Sequence, residues 1–411
     1  MKQVVVLGAG VVGVAVAHYL RQAGCAVTLI DKGPLGGACS HGNCGYVCPS
    51  HVLPHAGPGA INMVLGTMLQ RNSPLSVRPR LDPHLFDWMM RFARKCDHTS
   101  MLRAGRALHG LLGSSRRLYD DLLRDLEADW QTQGLLFVFH SARAFEHYHE
   151  TDALLRREFG LGATPYAGGK ELTTLEPALR GDVSGAFHYA TDAQLRPDRL
   201  MQSWKTRLLA DGVTLREGVT FQGFVRSGGV PLAARTDAGD IDADAFVVAT
   251  GAWTPLLAKA LRVRVPIEPG KGYSITLPRP ELCPRYPLIF EEHRVAVSPF
   301  SDGLRIGSTM QFAGYDTTTD PSRVQLLTDA TQLYLREMPR GPVEETWWGW
   351  RPMVPDGLPV IGPAGPRVWL ATGHGMLGLS LATATGKLLS EMMLDRPTHL
   401  DPRPFSVSRF T

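Results

Sequence analysis

The chain has 411 residues, 44% of them hydrophobic and 20% charged, which is typical of a folded protein and excludes disorder as its main character. Its 43 Lys and Arg against 39 Asp and Glu leave a net charge of +4 without a basic arm, so we expect no nucleic-acid partner. Six cysteines in a chain of this length do not form a disulfide framework. We therefore expect a cytoplasmic protein of two or three domains that at most contacts the inner face of the cell membrane peripherally.

The first elements in chain order have the spacing of a dinucleotide-binding βαβ unit. Val4–Leu7 is typical of a buried parallel strand, and the glycine turn Gly8–Gly13 opens a predicted helix that is followed by a second strand ending at Asp31. Because Lys32 rather than an arginine follows Asp31, NADP is the least expected ligand. The turn alone leaves NAD and FAD open.

Each residue of this turn has its own task in holding a dinucleotide. Gly8 permits a tight turn, Gly10 lets the backbone approach a pyrophosphate, and Gly13 allows the helix to pack closely on the strand. Asp31 is placed to bind a ribose hydroxyl.

Two further glycine turns favour FAD. Ala243–Val248 is predicted as a strand that enters Ala249–Thr254, and Arg367–Ala371 as a strand that enters Thr372–Gly378 and then a helix. An NAD dehydrogenase needs no additional turns of this kind, whereas a flavoprotein must hold its flavin ring apart from the adenine. A helix N-terminus beneath the N1 and C2=O edge of the flavin stabilises the negative charge that develops on reduction.

These motifs, together with four others, resemble the D-amino-acid oxidase superfamily of FAD enzymes. Within that superfamily the sequence is most similar to bacterial D-amino-acid dehydrogenases and hydroxy-D-proline dehydrogenases, with glycine and sarcosine oxidases as relatives. The segments that carry the resemblance span nearly the whole chain and are Gly8–Gly13 with Asp31 and Lys32, Ser40–Tyr46, Ala249–Trp253, Pro269–Ser274, Gly349–Pro352, Pro355–Gly362 and Gly373–Gly378.

The resemblance implies an α/β fold with two domains. One is a Rossmann-like FAD-binding domain of the GR2 type, discontinuous over residues 1–79, 187–262 and 351–411. The other is a mixed α+β substrate domain built from two insertions, residues 80–186 and 263–350. The strands Tyr273–Leu277, Ala296–Phe300 and Leu304–Thr309 are predicted in the second insertion, bounded by Pro and Gly.

Twenty residues are assigned to FAD by the glycine turns and by the resemblance. They are Gly8, Gly10, Val12, Gly13, Asp31, Lys32, Ser40, Asn43, Cys44, Gly45, Val219, Thr250, Gly251, Trp253, Gly373, His374, Gly375, Met376, Leu377 and Gly378. Val219 would touch the adenine through its backbone, or else it is a plain edge-strand valine. His374 is expected to contact the flavin edge through its backbone more than its ring.

We expect no metal site. Cys39, Cys44 and Cys48 have a spacing that matches no zinc or iron–sulfur pattern, so small buried thiols are the favoured interpretation. His51 and His55 could line a pocket entrance, although structural roles are favoured for both.

Three residues are predicted to act at the substrate. Arg351 would clamp its carboxylate, since guanidinium meets a carboxylate with two hydrogen bonds, and the alternative is a structural arginine. Tyr273 either offers its phenol to the same carboxylate or is a half-buried strand residue, and His41 either approaches the flavin or is a structural hydrogen-bonder, which we favour. Met376 stands where glycine oxidase has a second arginine, so the resemblance leaves Arg351 to hold the carboxylate alone.

The resemblance implies oxidation of an amino acid by hydride transfer from Cα to flavin N5, giving an imino acid. The substrate would be a D-amino acid or a cyclic D-imino acid such as D-proline or cis-4-hydroxy-D-proline, the cyclic choice being based on Asn43–Pro54. Alternatives are an N-methyl amino acid, glycine or opine oxidase, and a flavin-binding subunit that acts only within a hetero-oligomer. The electron acceptor, a quinone, a partner protein or O₂, stays open.

A helical region in the first insertion has two interpretations. Leucines at helical spacing predict a core-facing stripe, and basic residues lie among the apolar ones, namely Arg91, Arg94, Lys95, Arg103, Arg106, Arg116 and Arg117. A solvated helix face is the favoured interpretation, and peripheral contact with an anionic membrane is the alternative.

Overall fold

The structure, a computed structural model, describes residues 1–68 and 73–410. Residues 69–72 and 411, which fall in the expected FAD-binding segments, lie outside the described residues. The strands are β1 (Gln3–Leu7), β2 (Ala26–Asp31), β3 (Tyr46–Val47), β4 (Leu75–Val77), β5 (Leu135–Phe139), β6 (Thr164–Ala167), β7 (Gly185–Tyr189), β8 (Ala193–Gln194), β9 (Thr214–Glu217), β10 (Phe221–Ser227), β11 (Val230–Thr236), β12 (Gly239–Asp242), β13 (Ala245–Val248), β14 (Glu268–Pro278), β15 (Leu288–Phe290), β16 (Val295–Pro299), β17 (Gly303–Phe312), β18 (Glu345–Met353), β19 (Val360–Gly365) and β20 (Val368–Thr372).

Ten α-helices accompany these strands in the described residues. They are α1 (Val11–Gln22), α2 (Ala60–Met68), α3 (Pro83–Ala93), α4 (His98–Leu122), α5 (Ala142–Phe159), α6 (Lys170–Leu175), α7 (Pro197–Ala210), α8 (Ala258–Leu261), α9 (Pro321–Tyr334) and α10 (Gly378–Met393). Among them, no helix combines the length and the apolarity that crossing a membrane requires.

A six-stranded sheet in the order β19-β20-β13-β1-β2-β9 forms the nucleotide-binding half of the fold. All its strand pairs are parallel except β19 with β20. The strands of the first βαβ unit end where the sequence predicted, with β2 closing at Asp31. The carboxyl ends of β1, β13 and β20 each run into one of the three glycine turns, so the topology brings the turns to one edge of the sheet.

Helices α1, α10 and α4 pack in succession on this sheet. Gly386 of α10 leaves no room for a side chain, because an added Cβ would lie 2.6 Å from the Ala15 carbonyl oxygen of α1. On the other side of α10, Ser115 and Thr383 share a hydrogen bond of 2.7 Å, and Tyr119 donates to the Leu379 carbonyl. The predicted leucine stripe of α4 is confirmed, since Leu108, Leu111 and Leu112 are fully buried.

The second large sheet is mixed and has the order β18-β14-β17-β16-β15-β5-β7-β6, with β4 paired to β17. It contains the strands predicted for the second insertion. Helix α9 covers one face, where the Phe290 and Tyr334 rings stack with centroids 4.0 Å apart. The α/β fold expected from the sequence is confirmed, with a parallel sheet between helices and a separate mixed sheet.

The domain limits expected from the sequence remain a proposal. The observed strands show where those limits would cut through a sheet. The limits at 186/187 and 350/351 fall inside β7 and β18, both of which belong to the mixed sheet. Strand β4, expected in the FAD-binding segments, also pairs with that sheet.

Candidate active site

A cavity of about 1400 Å³ is bordered by the glycine-turn edge of the parallel sheet and by one face of the mixed sheet. Most residues assigned to FAD from the sequence line it. They are Gly8, Gly10, Val12, Asp31, Lys32, Ser40, Asn43, Cys44, Val219, Thr250, Gly251, Trp253, His374, Gly375, Met376, Leu377 and Gly378.

Gly13, Gly45 and Gly373 are the assigned residues that do not border the cavity. A Cβ on Gly13 would overlap the Gly8 carbonyl oxygen, so Gly13 serves the close packing of α1 on the first turn. Gly45 and Gly373 lie against Leu195 and Val354 instead.

The first turn brings the backbone of Gly8 and Gly10 to the cavity wall. Gly8 has a φ of +106°, and a Cβ there would lie 2.6 Å from the Ala249 carbonyl oxygen. Gly10 occupies the N-cap position of α1 and has no side chain to cap it, while the Val11 amide donates to Ser40 Oγ at 3.0 Å. A helix N-terminus that ends at a glycine turn suits a bound phosphate.

Asp31 is held in place by the loops that it faces. Its Oδ2 accepts from the Ala9 amide at 2.7 Å and its Oδ1 from the Gly33 amide at 2.9 Å. A carboxylate oxygen can accept more than one hydrogen bond, so both remain able to accept from ribose hydroxyls. The Val219 amide donates to the Asp31 carbonyl at 2.9 Å. The backbone group of Val219 that remains for contact with an adenine is therefore its carbonyl.

The Ser40–Gly45 loop is tied to the mixed sheet. Ser274 Oγ donates to the Gly42 carbonyl at 2.9 Å, and Arg305 Nη1 donates to the Asn43 carbonyl at 3.0 Å. Ser298 Oγ donates to the Cys44 carbonyl at 2.5 Å. These bonds hold the loop along the cavity wall between the two sheets.

The third glycine turn directs a helix N-terminus towards the cavity. Gly375–Leu377 forms a short 3-10 turn that leads directly into α10, which begins without a side-chain cap. The His374 ring is buried and shares a hydrogen bond of 3.0 Å with Thr385, and burial lowers its pKa to about 3. The ring is therefore neutral and turned into α10, which leaves the His374 backbone for a ligand.

Two buried polar atoms on the wall lack partners among the described residues. They are Thr309 Oγ1 and Trp350 Nε1, and both residues border the cavity. Orphaned buried polar atoms are rare in proteins unless a ligand or water satisfies them. Together with the glycine cradle at the first turn, they fit a large polar cofactor.

Arg351 contributes a guanidinium to the mixed-sheet wall of the cavity. Its Nη1 donates to the Thr309 carbonyl at 2.6 Å and its Nη2 to the Ser308 carbonyl at 3.3 Å. Among the described residues it forms no ion pair, and burial lowers its pKa. A half-buried guanidinium without a carboxylate is well placed to accept an anionic ligand.

The comparisons with known proteins decide the family. Residues 3–392 match the family model described as DAO, FAD dependent oxidoreductase. The chain belongs to this family. It is an FAD-dependent oxidoreductase, and FAD is its cofactor.

Curated relatives match over their whole length. A D-amino acid dehydrogenase of Paramagnetospirillum magneticum is 32% identical over 420 residues, covering 100% of this chain and 99% of the relative. A D-amino acid dehydrogenase of Chromohalobacter salexigens is 34% identical over 421 residues, covering 99% of each.

Solved structures share the fold at low sequence identity. Glycine oxidase from Bacillus cereus superposes with a TM-score of 0.76 at 17% identity, covering 97% of each chain. L-proline dehydrogenase from P. horikoshii superposes with a TM-score of 0.78 at 19% identity, covering 100% of this chain and 97% of that one.

In this DAO-family chain, Tyr273 lies on the sheet face opposite to Arg351. Arg351 pairs with Gly270 and Tyr273 with Trp348, and residues alternate between faces along a strand. The Tyr273 ring packs in the core beneath α9, and its hydroxyl donates to Gln311 at 3.0 Å. Tyr273 borders the cavity, but its phenol is engaged elsewhere, so the geometry favours the alternative of a strand residue.

His41 is not among the residues that line the cavity. Its Nε2 lies 2.6 Å from Glu345 Oε1, and the other oxygen of Glu345 accepts from Arg305 at 3.3 Å. The described structure therefore does not bring His41 to the substrate side, and the structural role favoured from the sequence agrees with its contacts.

The sequence did not indicate a group of polar residues that line the same cavity as Arg351. Glu291 and Arg294 form the turn between β15 and β16 and line the cavity, as do His51 and His55. The histidines were noted as possible pocket residues, whereas nothing in the sequence marked Glu291 and Arg294, because no motif covers them. Only the pairing of β16 with β17 brings this turn close to the clamp.

Cys48, His51 and Asp192 form a further cluster, with ligand-type atoms within 4.8 Å of one another. Asp192 accepts from the Ser50 amide at 3.0 Å and from Ser50 Oγ at 2.5 Å. Burial raises the pKa of Asp192 to about 7. Hydrogen bonds inside the protein account for this carboxyl group, and Cys48 is a buried thiol as expected.

Proposed function

We propose that this chain oxidises a D-amino acid or a cyclic D-imino acid at Cα to the corresponding imino acid. The observation that carries the proposal is Arg351, a half-buried guanidinium without a carboxylate partner in the described chain, on the wall of the cavity that also holds the three glycine turns. The full-length relatives named D-amino acid dehydrogenase support the D-amino acid as substrate class.

When bound, FAD supplies the isoalloxazine that accepts a hydride from the substrate. The chain supplies position and charge. A guanidinium has five N–H donors, and the carbonyls of Ser308 and Thr309 occupy only two of those of Arg351. The remaining donors are sufficient to hold a carboxylate bidentately, which fixes the direction in which Cα presents its hydrogen.

The cyclic substrate is supported by the resemblance of Asn43–Pro54 to hydroxy-D-proline dehydrogenases and by the shared fold of an L-proline dehydrogenase. Steady-state kinetics with D-proline, cis-4-hydroxy-D-proline, D-alanine and sarcosine will test it. Turnover of a D-amino or D-imino acid well above that of sarcosine is expected. Preference for sarcosine would favour the N-methyl alternative, and failure on all four would overturn the proposal.

We further propose a membrane quinone as electron acceptor. Part of the cavity lining is apolar and includes Leu85, Trp88 and Phe92 of α3. Helices α2 and α3 also expose apolar side chains to solvent, namely Ile61, Met63, Phe86, Met89 and Met90. Reduction of a short-chain quinone faster than release of peroxide supports this acceptor, and the reverse order would favour O₂.

The basic residues near this apolar surface have mixed surroundings. Arg106 pairs with Glu158, and Arg116 pairs with Asp120. Arg94, Lys95, Arg103 and Arg117 are exposed. We propose that the exposed apolar and basic side chains together contact an anionic bilayer, since such surfaces bind membranes peripherally. A hetero-oligomeric partner on the same surface is the alternative.

A further inference from the structure

A polar pocket adjoins the carboxylate clamp. The Ser308 carbonyl accepts from Arg351, and across the sheet Ser308 pairs directly with Val295. Arg294 immediately precedes Val295, so the turn that contains Arg294 and Glu291 opens one strand away from the guanidinium of Arg351. This is within reach of the side chain of an amino acid whose carboxylate Arg351 holds.

Arg294 and Glu291 form an ion pair in this pocket. Arg294 Nη1 lies 2.5 Å from Glu291 Oε1, and both residues border the cavity. His51 and His55 border it as well, and burial lowers the pKa of each to about 4, with Arg294 acting in the same direction. At neutral pH both imidazoles are therefore neutral beside the ion pair. Glu292 also borders the cavity, but its oxygens accept from His140 and Ser141 at the start of α5.

The side chains of the pocket nevertheless offer free hydrogen-bonding groups. The Arg294 side chain is 52% exposed although it borders the cavity, so most of its five donors are uncommitted. The His55 ring has no hydrogen-bond partner among the described residues and is open to the cavity. Glu291 adds an acceptor.

A neutral group that both donates and accepts suits this arrangement best. A charged substituent would have to compete with the Arg294–Glu291 pair, because these two groups already neutralise each other and Glu292 is engaged by the start of α5. A purely apolar substituent would displace water and leave the polar groups of the pocket unpaired. Proteins use the cost of such unpaired groups to reject substrate analogues that lack a hydroxyl. A hydroxyl can accept from Arg294 and donate to Glu291 or to an imidazole nitrogen of His55.

We infer that Arg294, Glu291 and His55 form a side-chain subsite for a hydroxyl group, so that hydroxylated substrates are preferred to their deoxy counterparts. The substrate class is a D-amino or D-imino acid with a neutral hydroxyl one or two carbons beyond Cα. This inference rests on the proposed function, because it takes Arg351 as the group that holds the carboxylate.

The test compares matched pairs of substrates on the FAD-loaded enzyme. The pairs are cis-4-hydroxy-D-proline with D-proline, D-serine with D-alanine, and D-threonine with D-2-aminobutyrate. For at least one pair, kcat/KM should favour the hydroxylated member by about tenfold or more, the worth of one hydrogen bond to a charged group. R294M and E291Q should each reduce that ratio several-fold, and H55F should do so to a smaller degree.

R180M is the matched control, because Arg180 forms an exposed ion pair with Asp182. It should leave the ratio at the wild-type value. Flavin absorbance shows whether each variant still holds FAD. A wild-type ratio near one for all three pairs, or a ratio that survives R294M and E291Q in folded enzyme, would overturn the subsite.

Binding titrations separate failure of the subsite from failure of the proposed function. If no pair is turned over, the shift in flavin absorbance on adding each compound gives its dissociation constant. Tighter binding of the hydroxylated members that is lost in R294M would keep the subsite and reject the oxidation. Equal or absent binding would reject both.

Discussion

The guanidinium of Arg351 occupies the space that a side chain on Gly272 would fill. Gly270 is the direct strand partner of Arg351, and Gly272 lies two residues further along the same face of β14. A Cβ on Gly272 would overlap Cζ, Nη1 and Nη2 of Arg351. With the carbonyls of Ser308 and Thr309 on its other side, the guanidinium is confined between two strands.

G272A should therefore displace the clamp without touching the cofactor turns. We expect KM for the amino acid to rise by about tenfold or more, since displacing a binding group by ~1 Å is costly. G181A is the matched control, because a Cβ there meets nothing within 4 Å. Steady-state kinetics check both, and an unchanged KM in G272A would show that the guanidinium does not need this position.

R351A should lower kcat/KM by about a hundredfold, as expected for loss of a charge-assisted bidentate contact. R351K keeps the charge but not the fork, so its loss should be intermediate. FAD content should stay at the wild-type level in both variants. R180A serves as control for removing an arginine. Wild-type kinetics in R351A would rule out the clamp.

D31N should weaken FAD binding. The amide nitrogen of asparagine cannot accept, so either the Ala9 or the Gly33 amide loses its partner. D31N also removes the charge that would accept from a ribose hydroxyl. A hydrogen bond to a charged acceptor is worth about 1.5–3 kcal/mol, so losing that bond corresponds to an increase of at least about tenfold in the dissociation constant of FAD. Reconstitution titrations of the apoprotein measure it, with D242N at an exposed strand position for comparison. Equal FAD affinity in both would contradict a role for Asp31.

Asp192 should make the folded state less stable as the pH rises. Burial raises its pKa from 3.8 to about 7, so the folded chain binds this proton more tightly than the unfolded chain. Its contribution is complete below pH 3.8 and declines until about pH 7. The full decline is at most about 4 kcal/mol, at 1.36 kcal/mol for each pH unit.

D192N removes this titration, so its stability relative to wild type should increase between pH 5 and pH 8. Thermal unfolding of the FAD-loaded proteins at the two pH values measures the change. D242N should run parallel to wild type. A D192N curve that is also parallel to wild type would mean that the Asp192 carboxyl is ionised in the folded state throughout this range.

The apolar surface of α2 and α3 predicts vesicle binding. Phe86 and Met90 are 68% and 43% exposed and lie one helical turn apart on α3. Replacing both with serine should release the protein from anionic vesicles in a sedimentation assay. L333S is the control, since Leu333 is 41% exposed on α9. Equal binding by all three proteins, or none by wild type, would count against a membrane contact here.

Local patterns predicted the nucleotide half of the fold well. The strand predicted at Val4–Leu7 is β1, and the one predicted at Arg367–Ala371 is β20. These elements are predictable because buried parallel strands are continuously apolar and because only glycine fits the turns that follow them. The positions of the three turns along the chain also indicated FAD.

The substrate side of the cavity was less predictable, because strand register decides on which face of a sheet each side chain lies. Tyr273 belongs to a segment that carries the family resemblance, yet its place in the alternation turns its ring towards α9, away from Arg351. His41 is drawn to Glu345, a residue 304 positions later in the chain. Neither contact can be predicted from the residues that neighbour Tyr273 or His41 in the sequence.

The amino-acid order by itself determined where the chain turns at glycines, which strands are apolar, and that a guanidinium stands at position 351. Folding decided what that guanidinium faces. Strand pairing brings Gly272, Ser308 and Thr309 around it, and such pairings join residues too far apart in sequence for any local pattern to record.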